Sequence, residues 1–266
     1  MQLALYQIDA FTDRPFAGNP AAVVPLERWL PDAVLAAIAA ENNLSETAFF
    51  VPEGEGFRLR WFTPGIEVDL CGHATLASAW VLYERLGWRA ARIPFVCASG
   101  PLGVRRLEDG RLELDFPARP LLATDAGLAE AVAAALGAQP VEVRSSDTNL
   151  FAVFACEADI RALRPDFAAL ARLPKQGVIV TAPGDHADFV SRYFAPAAGI
   201  DEDPVTGSTH CELTPYWAAR LGRDRLHAQQ VSKRHGELQV CLDGARVRIA
   251  GHAVPYLEGR ITLPGD

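Results

Sequence analysis

The chain has 266 residues, half of them hydrophobic, and a formal net charge of −8. That length can fill two lobes with separate cores. The acidic balance argues against a general surface for nucleic acid or anionic membrane, although a helix amino end can still hold an anion locally. No apolar run reaches the length of a membrane span. The start, Met1 to Asp9, has no basic segment before an apolar run and is expected to be a strand, not a signal peptide. The five cysteines, Cys71, Cys97, Cys156, Cys211 and Cys241, are widely spaced and form no CxxC pair. Neither a disulfide framework nor a zinc site is expected, and a reducing cytoplasm fits best.

Taken in order, Leu3 to Ala10 alternates as a strand does. A turn-rich loop, Phe11 to Pro20, precedes a short apolar strand at Ala21 to Val24. Pro31-Asp32 opens a helix with Val34, Leu35, Ile38 and Ala39 on one face, ending near Asn42-Asn43. Ala48 to Val51 reads as a strand, so Glu46 stands where helix hands over to strand. Phe57 to Phe62 is a further strand. The helix after Gly72 is expected to bury Leu76, Ala79, Trp80 and Tyr83. Strands follow at Ile93 to Cys97, Gly103 to Arg106 and Arg111 to Phe116, with a hairpin signal at Asp109-Gly110. Phe116-Pro117-Ala118-Arg119-Pro120 is a stiff crossing and the expected boundary between lobes. Beyond it come a helix around Leu128 to Leu136 closed by Gly137, and strands at Val141 to Arg144 and Leu150 to Ala155. A helix near Phe167 to Leu173 and strands at Gly177 to Thr181 and Asp188 to Phe194 come next. A second long helix is expected from about Ser208 to Leu221, with Pro215 kinking it or confining it to its later turns. Strands at Ala228 to Ser232, Glu237 to Leu242, Arg246 to Ala250 and Arg260 to Leu263 complete an α+β pattern.

One stretch occurs twice. Arg60-Trp61-Phe62-Thr63-Pro64 leads through Asp69 to Gly72, and Arg192-Tyr193-Phe194-Ala195-Pro196 leads through Asp203 to Gly207. Gly72 to Gly87 and Gly207 to Gly222 are both 15 positions apart, and Arg85-Leu86-Gly87 matches Arg220-Leu221-Gly222. Glycine at a first helical turn lets the backbone approach a ligand, and the free N–H groups there attract a carboxylate or oxyanion. Two such turns indicate a duplicated domain whose halves face one cleft. The plainer alternative is a pair of ordinary helix starts in a duplicated fold.

Several residues in these stretches can carry chemistry. Glu46 lies beside an apolar strand, which favours the protonated carboxyl and suits it to proton transfer; otherwise it is a surface helix-end carboxylate. His73 can donate to a substrate oxygen or shuttle a proton, or simply bond a nearby carbonyl. Asp203 and Ser208 read equally as ligand contacts and as caps. Cys71 has Thr206 as its repeat counterpart, so a racemase with one thiol on each face of a carbon is not supported; a small apolar residue under the loop is preferred. His210-Cys211-Glu212 lacks an i,i+4 partner, and zinc is discounted. GxSxG, Walker and GxGxxG motifs are missing from the sequence.

Asp9-Ala10-Phe11 with Pro15 to Pro20, Asn43-Leu44-Ser45-Glu46-Thr47-Ala48-Phe49, Cys71-Gly72-His73-Ala74-Thr75 and Asp203-Pro204-Val205-Thr206-Gly207-Ser208 stand in register across the chain. Together they resemble the PhzF family of phenazine-biosynthesis-like isomerases. The resemblance implies a diaminopimelate-epimerase-like fold: two pseudo-symmetric lobes, each a curled, mostly antiparallel sheet around a central helix. The expected lobes are 1–117, to which a last strand at 257–266 can return, and 118–256. Glu46 is then the general acid/base, with His73, Asp203 and Ser208 binding and polarising substrate. Asn19, Gly72 and Gly207 join His73 and Ser208 as substrate-binding residues. The resemblance further implies no metal or organic cofactor, a homodimer, and a small anionic metabolite as partner. The family's named member isomerises a dihydro-hydroxyanthranilate. The expected activity is therefore a cytoplasmic, cofactor-independent isomerase moving a proton between carbons of a small carboxylate. A one-base amino-acid racemase or epimerase and a non-catalytic metabolite-binding protein on the same fold stay open.

Overall fold

A computed structural model describes residues 1–264, so the expected strand at 257–266 ends outside the described residues. The fold is α+β, in two compact units. Met1–Asp115 and the segment from Ala250 onward form the first; Phe116–Ile249 forms the second.

In the first unit, β1 (Gln2–Ala10) pairs antiparallel with β2 (Asn19–Pro25). A crossover through α1 (Asp32–Asn42) places β3 (Glu46–Glu53) parallel to β2, with Ala21 opposite Glu46. β4 (Gly56–Phe62) returns antiparallel to β3, and the two-residue β5 (Glu67–Val68) folds back on β4. After α2 (Gly72–Glu84), β6 (Arg92–Cys97) runs parallel to β4 and antiparallel to β7 (Gly100–Arg106), which pairs in turn with β8 (Leu112–Pro117).

The helix α2 is the axis of this unit. Every residue from Gly72 to Ala79 is buried, as are Val81, Leu82 and Tyr83. A helix apolar on all sides must be enclosed, and α2 packs on β1, β2 and β3. Its two inner hydroxyls are satisfied one turn back: Thr75 Oγ1 donates to the Cys71 carbonyl at 2.5 Å and Ser78 Oγ to the Ala74 carbonyl at 2.8 Å. Trp80, expected inside, is only half-buried and lies beneath the Arg85 guanidinium, 4.6 Å from its ring centre.

The second unit contains β9 (Leu122–Ala123), α3 (Ala126–Leu136), β10 (Glu142–Ser145), β11 (Asn149–Val153), α4 (Glu157–Ala162), α5 (Phe167–Leu170), β12 (Gly177–Pro183) and β13 (Phe189–Ala195). A 3-10 turn at Pro196–Ala198, β14 (Ile200–Asp203), α6 (His210–Leu221), β15 (Arg225–Gln230), β16 (Gly236–Asp243) and β17 (Arg246–Gly251) come after them. The pairing order repeats that of the first unit. A parallel pair, β11 with β12, is extended by antiparallel β13; after the helix, β15 lies parallel to β13 and antiparallel to β16.

The duplicated glycines lead into different backbone. Gly72 is the first residue of α2, whereas Gly207 to Thr209 form a tight turn and α6 begins at His210, later than the expected Ser208. The amides of His210, Cys211 and Glu212 donate three residues back, to Gly207, Ser208 and Thr209, which is 3-10 spacing. Pro215 lies within α6 and cannot donate to the Cys211 carbonyl. The backbone N–H of Arg119 does so instead, at 2.9 Å, tying the crossing segment to the helix.

The last strand, β18 (Ala253–Thr262), is longer than the expected 260–263 and enters the first unit ahead of residue 257. It pairs with β1 from Gln2 to Ala10, taking Pro255 into the strand where the register shifts between Gln7 and Ile8. A bulge is where a strand tolerates proline, so Pro255 does not end it.

Gly18 fixes the loop between β1 and β2. Its φ is +65°, and an added Cβ would lie 2.2 Å from the Ala10 carbonyl oxygen. Gly87 has a similar φ of +72° with nothing within 4 Å of such a Cβ. Gly87→Ala is therefore expected to cost only the left-handed penalty of about 1 kcal/mol, and Gly18→Ala roughly 3 kcal/mol once backbone overlap is added. Chemical denaturation of both variants checks this; equal losses would contradict it.

Candidate active site

The amino ends of β2, β3 and α2 meet in the first unit. Asn19 begins β2, Glu46 begins β3 after the left-handed Asn43 that closes α1, and His73 is the second residue of α2. Asn19 Nδ2 donates to His73 Nδ1 at 3.2 Å, and Cys71 Sγ lies 3.5 Å from the same nitrogen. His73 Nε2 is 3.2 Å from Glu46 Oε2. Their side chains are 5% and 13% exposed. The two atoms are close but not aligned as a hydrogen bond, a looseness common in sites without substrate.

With Asn19 donating to Nδ1, the ring proton belongs on Nε2, facing Glu46. Burial pushes the His73 pKa down to about 3, so the ring is neutral at neutral pH. Glu46 then faces a neutral donor instead of an imidazolium.

Glu46, Cys71 and His73 offer donor atoms within 4.8 Å of one another, which raises the question of a metal ion. Their arrangement does not suit one ion. The Asn19 amide already occupies the Nδ1 lone pair, and a neutral ring in that tautomer carries its proton on Nε2, so neither nitrogen offers a lone pair to an ion. The amino end of α2 is more suited to binding. Cys71, its N-cap, supplies no side-chain bond to the first amides, so the turn at Gly72 and His73 can receive an anion's oxygens.

In the second unit, Asp203 ends β14, and the loop to α6 carries Thr206, Gly207 and Ser208. Thr206 Oγ1 donates to Asp203 Oδ2 at 2.5 Å. Thr209 Oγ1 and His210 Nδ1 both meet the Thr206 carbonyl, at 2.8 and 2.9 Å. His210 is thus protonated on Nδ1, the tautomer opposite to His73, and burial lowers its pKa to about 4 despite that bond. Ser208 is half-buried. The metal-like run at 210–212 disperses: His210 turns to Thr206, while Glu212 accepts from Ser146 Oγ and Asn149 Nδ2.

Among the residues singled out in the sequence, Asn19, Glu46, Gly72 and His73 gather in the first unit, and Asp203, Gly207 and Ser208 in the second. Asn19 is completely buried and its amide goes to His73. Gln230 and Ser232, which brace the Asp203 loop, were not singled out. Ser232 Oγ donates to the Pro204 carbonyl at 2.7 Å. Their signal was the alternation Leu226, Ala228, Gln230, which places a glutamine on the buried face of a strand.

Comparison with known proteins finds relatives over nearly the whole chain. The family model PhzC-PhzF, described as phenazine biosynthesis-like protein, matches residues 8–259. An uncharacterized isomerase of Pseudomonas aeruginosa is 57% identical over 263 residues, spanning 99% of this chain and 100% of its own. A crystal structure of a PhzF-family phenazine biosynthesis protein from Enterococcus faecalis superposes with a TM-score of 0.93 at 46% identity, over 99% of this chain and 100% of that one. A hydroxyproline epimerase from Agrobacterium vitis shares the fold alone, with TM-score 0.63 and 11% identity over 98% and 92% of the two chains.

Two buried neutral histidines make stability depend on pH. From the ordinary value of 6.5 down to about 3 for His73 and about 4 for His210, the unfolded chain binds a proton that the folded one refuses. Stability present above pH 6.5 is lost as pH falls through this window, by up to about 1.4 kcal/mol per pH unit for each ring. Urea unfolding across pH 7.5 to 4.5 should show that decline, and His210→Gln should flatten it. An unchanged slope in the variant would contradict burial in the neutral form.

Proposed function

This chain belongs to the PhzC-PhzF family, and from that premise we propose that it is an isomerase shifting a proton between carbons of a small carboxylate substrate. The observation that carries the proposal is Glu46 Oε2 held 3.2 Å from the Nε2 of a buried, neutral His73. Relatives named as isomerases support the reaction class.

In this reading Glu46 takes a proton from one substrate carbon. The electron pair left behind delocalises toward the substrate's carboxylate, whose growing charge meets the amides at the start of α2. Glu46 then returns the proton to a second carbon, so no net proton or electron is consumed. His73, its Nδ1 already engaged by Asn19, presents Nε2–H as a donor. Asp203 and Ser208 bind and polarise the substrate, as the family pattern implies. Gly207 admits the substrate's polar groups close to the backbone. No metal or organic cofactor is required by these steps, and a cytoplasmic homodimer belongs to the same proposal.

A specific contact favours a second reading: Cys71 Sγ lies 3.5 Å from His73 Nδ1, and a thiol beside an imidazole is a familiar activated pair. Thr206, at the matching place in the repeat, offers no second thiol. One-base epimerisation by Glu46 itself would differ from isomerisation only in where the proton returns.

The test is turnover followed by NMR in D2O, using a dihydro-hydroxyanthranilate and a panel of small amino and unsaturated carboxylates. The wild type should move a double bond or exchange hydrogen on at least one of them. Glu46→Gln preserves shape but cannot carry the proton, so a loss of roughly a hundred- to ten-thousand-fold is expected. Cys71→Ser should retain most of the activity. Glu46→Gln within a few-fold of wild type, or Cys71→Ser as impaired as Glu46→Gln, would overturn the assignment.

A further inference from the structure

Gln230 is completely buried at the end of β15, yet each of its polar atoms is used. Its Oε1 accepts from the Thr206 backbone N–H at 2.8 Å. Its Nε2 donates to the Asp203 carbonyl at 2.8 Å and to Thr206 Oγ1 at 3.2 Å. Turning the amide over would set an NH2 group against the Thr206 N–H, so its orientation is fixed. The consequence falls on the Thr206 hydroxyl. One of its lone pairs is taken by Gln230, which leaves its proton to go to Asp203 Oδ2, 2.5 Å away.

We propose that Gln230 and Thr206 are positioning residues that together aim the Asp203 carboxylate. This rests on the reading of Asp203 as a site residue. The strand supplies an immobile amide, the amide sets the hydroxyl, and the hydroxyl sets the carboxylate. Gln230 itself is held by its place in the sheet, where it lies opposite Ser191 in the parallel pairing of β13 with β15. Serine can stand in for Thr206 in such a chain, and valine of the same shape cannot. A glutamine that merely tied the loop down would give no such distinction, because valine keeps the backbone N–H that Gln230 Oε1 accepts.

The experiment is NMR of the intact chain, with 13C in the aspartate carboxyls and the Thr206 hydroxyl proton followed through its own methyl group. Thermal melts are run on every variant. Thr206→Val should displace the Asp203 carboxyl signal, and Thr206→Ser should restore it. Gln230→Leu should also displace it, and should speed exchange of the Thr206 hydroxyl proton by roughly tenfold, the scale of one lost hydrogen bond. An Asp203 signal identical in wild type and a folded Thr206→Val variant would overturn the proposal, as would failure of Thr206→Ser to restore it. If Gln230→Leu does not fold, the Val and Ser pair decides alone. No substrate is involved, so a failed turnover assay would count against the acid–base reading only.

Discussion

The candidate site depends on keeping an imidazole neutral inside a helix start. His73 is enclosed by the packing of α2 against β1, β2 and β3, and enclosure penalises its charged form. A carboxylate 3.2 Å from Nε2 works the other way, yet burial wins and the ring stays deprotonated to about pH 3. The Asn19 amide then decides which nitrogen carries the proton. Sheet, helix and hydrogen bond thus act in sequence to direct one N–H at Glu46. Were the ring charged, Glu46 would be locked in an ion pair and poorly suited to accept a proton from carbon.

The two units repeat one scaffold and differ at the turns that lead into their helices. Both units place a glycine at or just before the start of a helix and repeat one pairing order of strands. In the first, the helix starts at Gly72 and a histidine comes next. In the second, a 3-10 turn from Gly207 delays the helix to His210, and the turn's own carbonyl at Thr206 is taken up by Thr209 and His210. The loop so shaped presents Asp203 and Ser208 in place of an imidazole. In the second unit Gln230, Thr206 and Asp203 form a connected chain of hydrogen bonds, an arrangement that rigidifies the loop it holds.

Much of this was legible in the residues. The repeat located both glycines, and the passage from helix to strand marked Glu46, because an acid beside Ala48-Phe49-Phe50-Val51 is conspicuous. What escaped was set by tertiary contact. Asn19 carries no local sign that its amide will reach a histidine 54 positions away. Gln230 looks like a surface residue until its strand is given a buried face. Pro215 signalled a kinked or shortened helix, but the carbonyl it leaves unpaired is taken by the Arg119 N–H of the crossing segment. The extension of β18 back through Pro255 was likewise hidden, since the bulge that accommodates the proline depends on the register with β1.

The most direct measurement is the protonation state of His73 by long-range 1H–15N correlation in the free protein. The account predicts a single neutral tautomer with the proton on Nε2 that persists from pH 7.5 to 5. An imidazolium within that range, or a ring protonated only on Nδ1, would contradict it, because Glu46 would then face either a bound cation or a bare lone pair.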